Sequence, residues 1–332
     1  MHQVTPVNES SHVGQVRREI QGLASRMCAS EDVRARAALV ATELSTNLLK
    51  HSASGGQILF RALTEEVGTF TSIEILSIDK GRGIPNISKA FSDGFSTAGS
   101  PGNGLGAIQR MSDSIEIFSA DKHGTVISTQ IRPRSSSKKL APPRVRSICV
   151  PLEGYEISGD YVVVVTKGSN VHIMVADGLG HGPEAAEASQ RAATVFRKNV
   201  TCALPEMMRQ IHDALKLTRG AAVALANFDA ATRILKYVGV GNIDSRICTE
   251  NDSRGCGTLN GTAGIRMPTL VEFEYSIPPG AVFVMHSDGL SSRWTFNDYP
   301  GLSMQTPGVI AGLLFRDFAR KRDDATVLVL AT

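Results

Sequence analysis

The sequence lacks the features that define several large classes of protein. No hydrophobic run approaches the ~18 residues that a membrane-spanning helix needs. The start, MHQVTPVNESSHV, has no basic region followed by an apolar stretch, so it does not resemble a secretory signal. The five cysteines are odd in number and show no CxxC spacing. This excludes a zinc ribbon and a simple disulfide framework, and it predicts a cytoplasmic protein in a reducing compartment with no membrane segment.

Length and composition indicate two folded domains. A chain of 332 residues is too long for one ordinary domain and comfortable for two. Hydrophobic residues make up 42% of the chain and charged residues 20%, which suits two buried cores and argues against wholesale disorder.

The basic excess of the chain lies in one short segment. The net charge is +3, yet residues 1–131 hold 12 basic and 13 acidic residues, and residues 147–332 hold 17 and 19. The segment between them, RPRSSSKKLAPPRVR at 132–146, holds six basic residues and no acid. Its prolines and serines disfavour helix and strand, and no aromatic residue interleaves the charges for base stacking. We therefore predict a basic Pro/Ser linker at 132–146 between domains at 1–131 and 147–332, and no nucleic-acid partner.

Hydrophobic periodicity predicts the secondary structure of both domains. In the first, apolar residues from Val13 to Met27 and from Val33 to Leu48 recur at helical spacing, with Ser30 as an N-cap between them. The remaining predicted elements of this domain are strands at 57–63, 73–78, 115–119 and 125–131 and a helix at 104–112. Helices gathered around a few strands indicate a two-layer α/β sandwich.

The second domain is richer in strands. Its predicted strands lie at 161–166, 171–176, 221–228, 234–240, 270–275, 281–286 and 326–330. Its predicted helices lie at 184–199, 204–217 and 307–319. This pattern indicates sheets flanked by helices.

Three short segments of the first domain suggest a nucleotide pocket. Glu43 and Asn47 lie four residues apart, hence on one face of a helix. Asp79 ends a strand and is followed by Gly81 and Gly83, so the backbone there can pass close to a flat ligand. The segment Gly102–Gly106, GNGLG, opens a helix and can present backbone N–H groups to phosphate. Each segment alone is more often a turn or a solvated helix face.

The order of these segments, ELSTN, DKGRG and GNGLG, resembles the GHKL ATPase family over about residues 10–131. Only eighteen residues separate Gly83 from Gly102, and this short lid is most similar to RsbT-type serine kinases. The resemblance implies that ATP is bound with Mg²⁺ and that Glu43 is the general base for the attacking hydroxyl. The binding positions that it implies are Asn47 for Mg²⁺, Asp79 for the adenine amino group, Gly81 and Gly83 beside the base, Gly102, Gly104 and Gly106 around the phosphates, and Thr125 behind the adenine.

Acidic residues of the second domain stand where apolar runs begin or end. Asp160, Asp177, Asp288 and the pair Asp323–Asp324 all have this position. Burying several carboxylates together is unfavourable unless a cation compensates them, and aspartate oxygens are preferred ligands of Mg²⁺ and Mn²⁺. The alternative is that these aspartates are ordinary turn residues.

The ordered segments ISGD, DGLGHG, GVGNI, NGTAG, HSDGL and RDDATVLV resemble a SpoIIE-type metal-dependent serine/threonine phosphatase, most like RsbX, over about residues 147–332. The resemblance implies an α-β-β-α sandwich with two ions of Mn²⁺ or Mg²⁺. The metal-site positions that it implies are Asp160, Asp177, the Gly178 carbonyl, Asp288 and Asp323, with Asp324 as an alternative to Asp323. It makes His181 a candidate general acid, although a structural loop histidine is an equally good interpretation. Arg219, His286 and Trp294 receive no predicted role.

Together the two resemblances predict an α+β chain of two domains, a GHKL-type two-layer sandwich followed by a phosphatase sandwich. They imply a phosphatase and a serine kinase-like module acting in one signalling pathway. The implied substrate is a phosphorylated STAS-domain protein, either an anti-sigma antagonist or a stressosome component. In the alternative hypothesis the first domain binds a nucleotide or a partner without kinase turnover and regulates the phosphatase.

Overall fold

The computed structural model describes residues 1–64, 69–91, 104–134 and 144–332. Apart from Met1, the chain divides into two compact units, His2–Ala141 and Pro142–Thr332. Both mix helices and strands, so the predicted α+β architecture with two domains is confirmed.

The first unit is one antiparallel sheet with helices packed on it. Its elements are β1 (Gln3–Val7), α1 (Ser10–Arg26), α2 (Glu31–His51), β2 (Gly56–Thr64), β3 (Phe70–Asp79), α3 (Ile87–Ala90), α4 (Gly104–Met111), β4 (Ser114–Ala120) and β5 (Gly124–Ile131). The strand order is β1-β2-β3-β5-β4. The apolar stripes of α1 and α2 are buried against alternate residues of the sheet, among them Ile58, Phe60, Ile73 and Ile75. This is the two-layer sandwich that the periodicity predicts.

Helix α2 positions two of the predicted site residues. The Ser30 hydroxyl accepts a hydrogen bond from the Val33 N–H and so caps the helix at the predicted place. The stripe that contains Leu44 and Leu48 is buried, whereas Glu43 and Asn47 are half-buried. Their side chains therefore lie at the edge of the core, where a ligand can reach them.

Strand β1 is an addition to the prediction. It pairs with β2 from Gln3↔Phe60 to Val7↔Gly56 and forms an edge of the sheet. Its sequence QVTPV contains Pro6, which cannot donate a ladder hydrogen bond and argues against a strand unless the strand is an edge. The edge position explains why this segment folds as a strand.

The second unit is a sandwich of two antiparallel sheets. Its strands are β6 (Val145–Val150), β7 (Asp160–Lys167), β8 (Asn170–Gly178), β9 (Ala221–Asp229), β10 (Ile234–Val240), β11 (Asp244–Cys248), β12 (Ser253–Gly255), β13 (Phe273–Ser276), β14 (Val282–His286) and β15 (Ala325–Ala331). The helices are α5 (Pro183–Lys198), α6 (Leu204–Leu215) and α7 (Pro307–Phe318), with 3-10 turns at Phe296–Asp298 and Leu302–Met304. The sheet orders are β13-β10-β9-β8-β7 and β12-β11-β14-β15-β6.

A buried apolar core joins the two sheets face to face. It includes Phe228 and Tyr237 from one sheet and Phe283 and Leu328 from the other. Helices α5 and α6 pack on the outer face of the first sheet, and α7 packs against β6 and β15 of the second. The predicted α-β-β-α arrangement is therefore confirmed.

Three short strands of this unit, β6, β11 and β12, are additional to the predicted ones. Strand β6 begins at Val145, within the segment 132–146 that the charge pattern predicts as a linker, and it pairs with β15. Strands β11 and β12 carry polar residues through most of their length, so they give no alternating signal. Within the described ranges, no helix combines the length and hydrophobicity needed to cross a bilayer.

Candidate functional site

Four segments of the second unit place their aspartates at one edge of the sandwich. Asp160 opens β7 and stands opposite Asp177, near the end of β8, in the register of that antiparallel pair. In the other sheet, Asp288 follows β14 and Asp323 precedes β15, and these two strands are neighbours. Sheet pairing thus brings together carboxylates that lie more than 100 residues apart in the chain.

Ser287 joins the two sheets at this edge. Its hydroxyl donates to Asp160 Oδ2 at 2.6 Å and accepts from the Thr326 N–H at 3.0 Å. Asp160 is only 3% exposed, so this hydrogen bond fixes the carboxylate inside the protein. The sequence reasoning missed Ser287, although it stands next to Asp288 in the HSDGL segment that was singled out.

The carboxylates raise one another's pKa. Burial raises the pKa of Asp177 to about 8, together with the negative charges of Asp288, Asp323 and Asp324. Burial, followed by the charge of Asp177, raises the pKa of Asp160 well above its usual value. Burial and the nearby Asp323 likewise raise the pKa of Asp288. The edge therefore favours bound protons or a bound cation over bare negative charge.

This donor set fits a divalent cation in charge and ligand type. Oxygen ligands carried by several aspartates are those that Mg²⁺ and Mn²⁺ prefer. In the parts of the chain that the structure describes, no three acidic, histidine or cysteine side chains surround one point closely enough to hold an ion as they stand.

Asp323 and Asp324 have different surroundings. Asp324 is buried, and its two oxygens accept hydrogen bonds from the backbone N–H groups of Leu152 and Gly159, both at 2.7 Å. Asp323 is half-buried and lies within hydrogen-bonding reach of Asp288. Asp324 thus anchors the loop before β7, while Asp323 faces the other carboxylates.

The loop that follows Asp177 comes very close to helix α5. A Cβ atom on Gly178 would stand 2.0 Å from the Ala185 carbonyl oxygen, so only glycine fits there. The Gly178 N–H donates to the Gly159 carbonyl at 3.1 Å, which ties the loop to the residue before Asp160. The backbone carbonyl of Gly178 is thus held beside the two paired aspartates.

His181 lies on the exposed side of the same loop. Its ring packs against Tyr155 with a centroid separation of 4.7 Å and an interplanar angle of 57°. Burial dominates the raised pKa of Asp324, and the charge of His181 opposes that rise. His181 is therefore close to the carboxylates and open to an incoming molecule.

Asn242 positions Asp288 directly. Its side-chain amide donates to Asp288 Oδ2 at 2.8 Å. The GVGNI segment, one of those that carry the phosphatase resemblance, thus supplies a side chain that contacts a predicted metal-site carboxylate.

The first unit brings part of its predicted pocket together. Gly104 begins α4 next to α2, and a Cβ atom there would stand 3.2 Å from Asn47 Oδ1 and 3.4 Å from Glu43 Oε2. Gly106 is buried two residues further along α4. Gly102 lies outside the described residues.

The other half of this pocket lies at the end of β3. Asp79 accepts a hydrogen bond from the Gly81 N–H at 2.7 Å and pairs in register with Thr125 on β5. A Cβ atom on Gly83, whose φ is +80°, would stand 2.4 Å from the Ala120 carbonyl oxygen.

Ser119 is a residue of this pocket that the sequence reasoning missed. Its hydroxyl lies 2.9 Å from that of Thr125 and accepts from the Ile84 N–H at 2.7 Å. It joins the glycine-rich turn to the strand pair beneath it. A serine in an ordinary strand sequence gives no signal for such a role.

Comparison with known proteins identifies both units. A family model described as stage II sporulation protein E, SpoIIE, matches residues 167–332, and one described as a histidine kinase-like ATPase domain matches residues 7–131. The serine/threonine-protein kinase RsbT of Bacillus subtilis (strain 168) is 34% identical over 93 residues, which cover 28% of this chain and 68% of RsbT.

Solved structures also resemble the chain. One chain, from a study of the bacterial stressosome as a modular system adapted to control secondary messenger signalling, has 28% identity and a TM-score of 0.53, covering 56% of this chain and 97% of that one. RsbX in complex with magnesium has 20% identity and a TM-score of 0.49, covering 57% and 94%. The chain therefore belongs to the SpoIIE family, as a PP2C-type phosphatase unit joined to an RsbT-like ATPase domain.

Proposed function

We propose that this chain is a divalent-metal-dependent protein serine/threonine phosphatase that acts on a phosphorylated STAS-domain protein in the cytoplasm. The observation that carries the proposal is the convergence of aspartates from four distant segments at one edge of the sandwich, where burial and mutual repulsion raise the pKa of Asp177 to about 8. A structural cluster of this charge without a cation is unfavourable.

Two ions of Mn²⁺ or Mg²⁺ are the proposed occupants. Asp160, Asp177 and the Gly178 carbonyl would hold them together with Asp288 and Asp323. Asp324 is the weaker candidate, because both its oxygens already accept backbone hydrogen bonds. When bound, such a pair of metals supplies a water nucleophile of lowered pKa and screens the charge of a phosphate.

The side chains of this chain supply the remaining functions. His181, exposed beside the carboxylates and packed on Tyr155, donates a proton to the leaving seryl oxygen. The hydrogen bonds from Ser287 to Asp160 and from Asn242 to Asp288 hold those carboxylates in place. No nucleophilic side chain is required, because water is the attacking group.

For the first unit we propose ATP binding with Mg²⁺ and serine kinase activity. Glu43 acts as the general base, Asn47 holds Mg²⁺, and Asp79 receives the adenine amino group. A Cβ atom on Gly104 would contact the Glu43 and Asn47 side chains, so a phosphate at the start of α4 would be adjacent to both. The remaining contacts are assigned to Gly81, Gly83, Gly102, Gly106 and Thr125.

The proposed substrate class follows from the likenesses of both units. The first is similar to the kinase RsbT, and the chain resembles one solved in a stressosome study. A kinase-type and a phosphatase-type unit on one chain suit opposite reactions on the same regulatory protein, for which an anti-sigma antagonist or a stressosome component is proposed.

The decisive experiment is Mn²⁺-dependent release of phosphate from a phosphorylated STAS protein encoded near this gene. Wild type should release phosphate only with Mn²⁺ or Mg²⁺, and Asp288→Asn should lose the activity, whereas wild type without metal serves as the baseline. Release that persists in chelator would contradict the metal-dependent mechanism. In parallel, labelled ATP should transfer phosphate to the unphosphorylated partner; ATP binding without transfer would instead support a regulatory role for the first unit.

A further inference from the structure

Arg219 lies beside the DGLGHG loop because of strand register. Strands β8 and β9 pair with Gly178 opposite Ala221. Beyond the last pair the two segments stay together, since the Leu179 N–H donates to the Gly220 carbonyl at 3.0 Å. The next residues along, Gly180 and Arg219, therefore face each other just past the Gly178 carbonyl.

The Arg219 side chain crosses the bare backbone of Gly180. Its Nη1 atom lies 3.0 Å from the position that a Cβ atom on Gly180 would take. The guanidinium can approach the loop this closely because Gly180 has no side chain. The guanidinium thus contacts the loop at Gly180, which lies two residues after Gly178 and three residues after Asp177.

The NGTAG segment, residues 260–264, acts as a support for this turn. Ala263 exchanges two backbone hydrogen bonds with Ala221, at 3.0 and 2.9 Å, and the Gly264 N–H donates to His212 Nδ1 at 2.9 Å. A Cβ atom on Gly220, whose φ is +78°, would stand 2.7 Å from the Ala263 carbonyl oxygen. The segment therefore fixes the backbone from which Arg219 extends.

The ion pair with Glu184 does not account for this position. The side chains of Arg219 and Glu184 are 51% and 65% exposed, and pairs between such exposed groups contribute little to stability. A guanidinium has five N–H donors in a planar fork, and one carboxylate occupies at most two of them. Donors remain for a ligand at the loop.

A phosphate monoester needs such a cation here. The edge carries five aspartates, and a dianion approaching it is repelled on every side that a metal does not screen. Arginine binds phosphate oxygens through two parallel hydrogen bonds, which also orient the group. We propose that Arg219 binds the phosphoryl group of the substrate, an inference that rests on the phosphatase function proposed above.

The test measures the Mn²⁺-dependent hydrolysis of p-nitrophenyl phosphate and the inhibition of this reaction by inorganic phosphate. Relative to wild type, Arg219→Ala should raise the inhibition constant for phosphate and the KM by ~10-fold, and Arg219→Lys should lie between them, because lysine keeps the charge without the fork. The Mn²⁺ concentration for half-maximal activity should not change. Glu184→Gln should not weaken phosphate inhibition, since it frees the guanidinium.

Arg209→Ala is the matched control. Arg209 forms a similarly exposed ion pair with Glu206 on α6, at 60% and 49% exposure, and its loss should leave phosphate inhibition unchanged. An inhibition constant within twofold of wild type in both Arg219 variants would overturn the proposal. Calorimetric titration of phosphate into the Mn²⁺-loaded full chain gives an independent readout: if wild type binds phosphate through Arg219 but hydrolyses nothing, the proposed phosphatase function fails and this inference stands.

Discussion

The two candidate sites are built on opposite principles. In the second unit, sheet register forces acidic side chains together, and hydrogen bonds from Ser287 and Asn242 hold them against their mutual repulsion. In the first unit, glycines let the backbone come close to a few polar side chains, as Gly104 does beside Glu43. The phosphatase site should therefore respond most to changes of charge, and the nucleotide site to added volume.

The largest expected effect is the loss of phosphatase activity in Asp177→Asn. This carboxylate interacts with four other aspartates, so its replacement removes the central ligand of the proposed metal pair. We expect the rate to fall by ~10³-fold or more. Binding of a fluorescent ATP analogue to the first unit should be unchanged; a parallel loss of ATP binding would show that the two sites are not independent.

The reciprocal change is Glu43→Gln in the first unit. If Glu43 is a general base, phosphate incorporation from ATP should fall by ~10²-fold or more. Release of phosphate by the second unit should stay within twofold of wild type. Kinase activity that survives this substitution would leave Glu43 as a structural residue on the edge of α2.

Replacing a glycine by alanine should affect the two sites differently. Gly178→Ala places a methyl group 2.0 Å from a carbonyl oxygen of α5, and we expect it to cost about 2–4 kcal/mol of stability. Gly104→Ala meets side-chain atoms at 3.2 and 3.4 Å, so it should weaken ATP binding with little loss of stability.

Denaturant unfolding of the full chain measures the difference. Gly255→Ala is the control, because nothing lies within 4 Å of a Cβ atom there. Equal destabilisation by Gly178→Ala and Gly255→Ala would contradict the close approach of Gly178 to α5.

Sequence pattern was sufficient for the elements with strong periodicity. Helix α2 has an apolar stripe and a Ser30 cap, and both are present in the structure. The pattern did not predict β1, because Pro6 hides an edge strand, nor β11, whose residues do not alternate. Asp177, which the sequence analysis singled out for its charge at a strand end, stands opposite Asp160 in the β7–β8 register.

Residues whose roles depend on a neighbouring strand carry no comparable pattern in the sequence. Ser287 and Ser119 are serines in ordinary strand-end sequence, and their roles depend on which strand lies beside them. Arg219 carries no motif of its own, and its position follows from the β8–β9 register and from the NGTAG support. Tertiary contacts determine these roles, and a single sequence does not specify them.

The smallest expected effect is the pH dependence of stability without metal. Because the pKa of Asp177 is about 8 in the folded chain and 3.8 in its ordinary state, the folded chain keeps a proton that the unfolded chain has released between these pH values. The free energy of unfolding should therefore fall as pH rises through this window. In chelator, the melting temperature of the second unit should therefore drop between pH 5 and 8.

Asp177→Asn removes the titrating group, so its melting curve should be flatter over the same range and lie higher at pH 8. Mn²⁺ should restore the wild type at pH 8, because a bound cation replaces the lost proton, and should restore Asp177→Asn much less. A wild-type melting temperature that is independent of pH in chelator would contradict the raised pKa of Asp177. The aspartate edge of the second unit would then not be more sensitive to charge than the nucleotide pocket of the first.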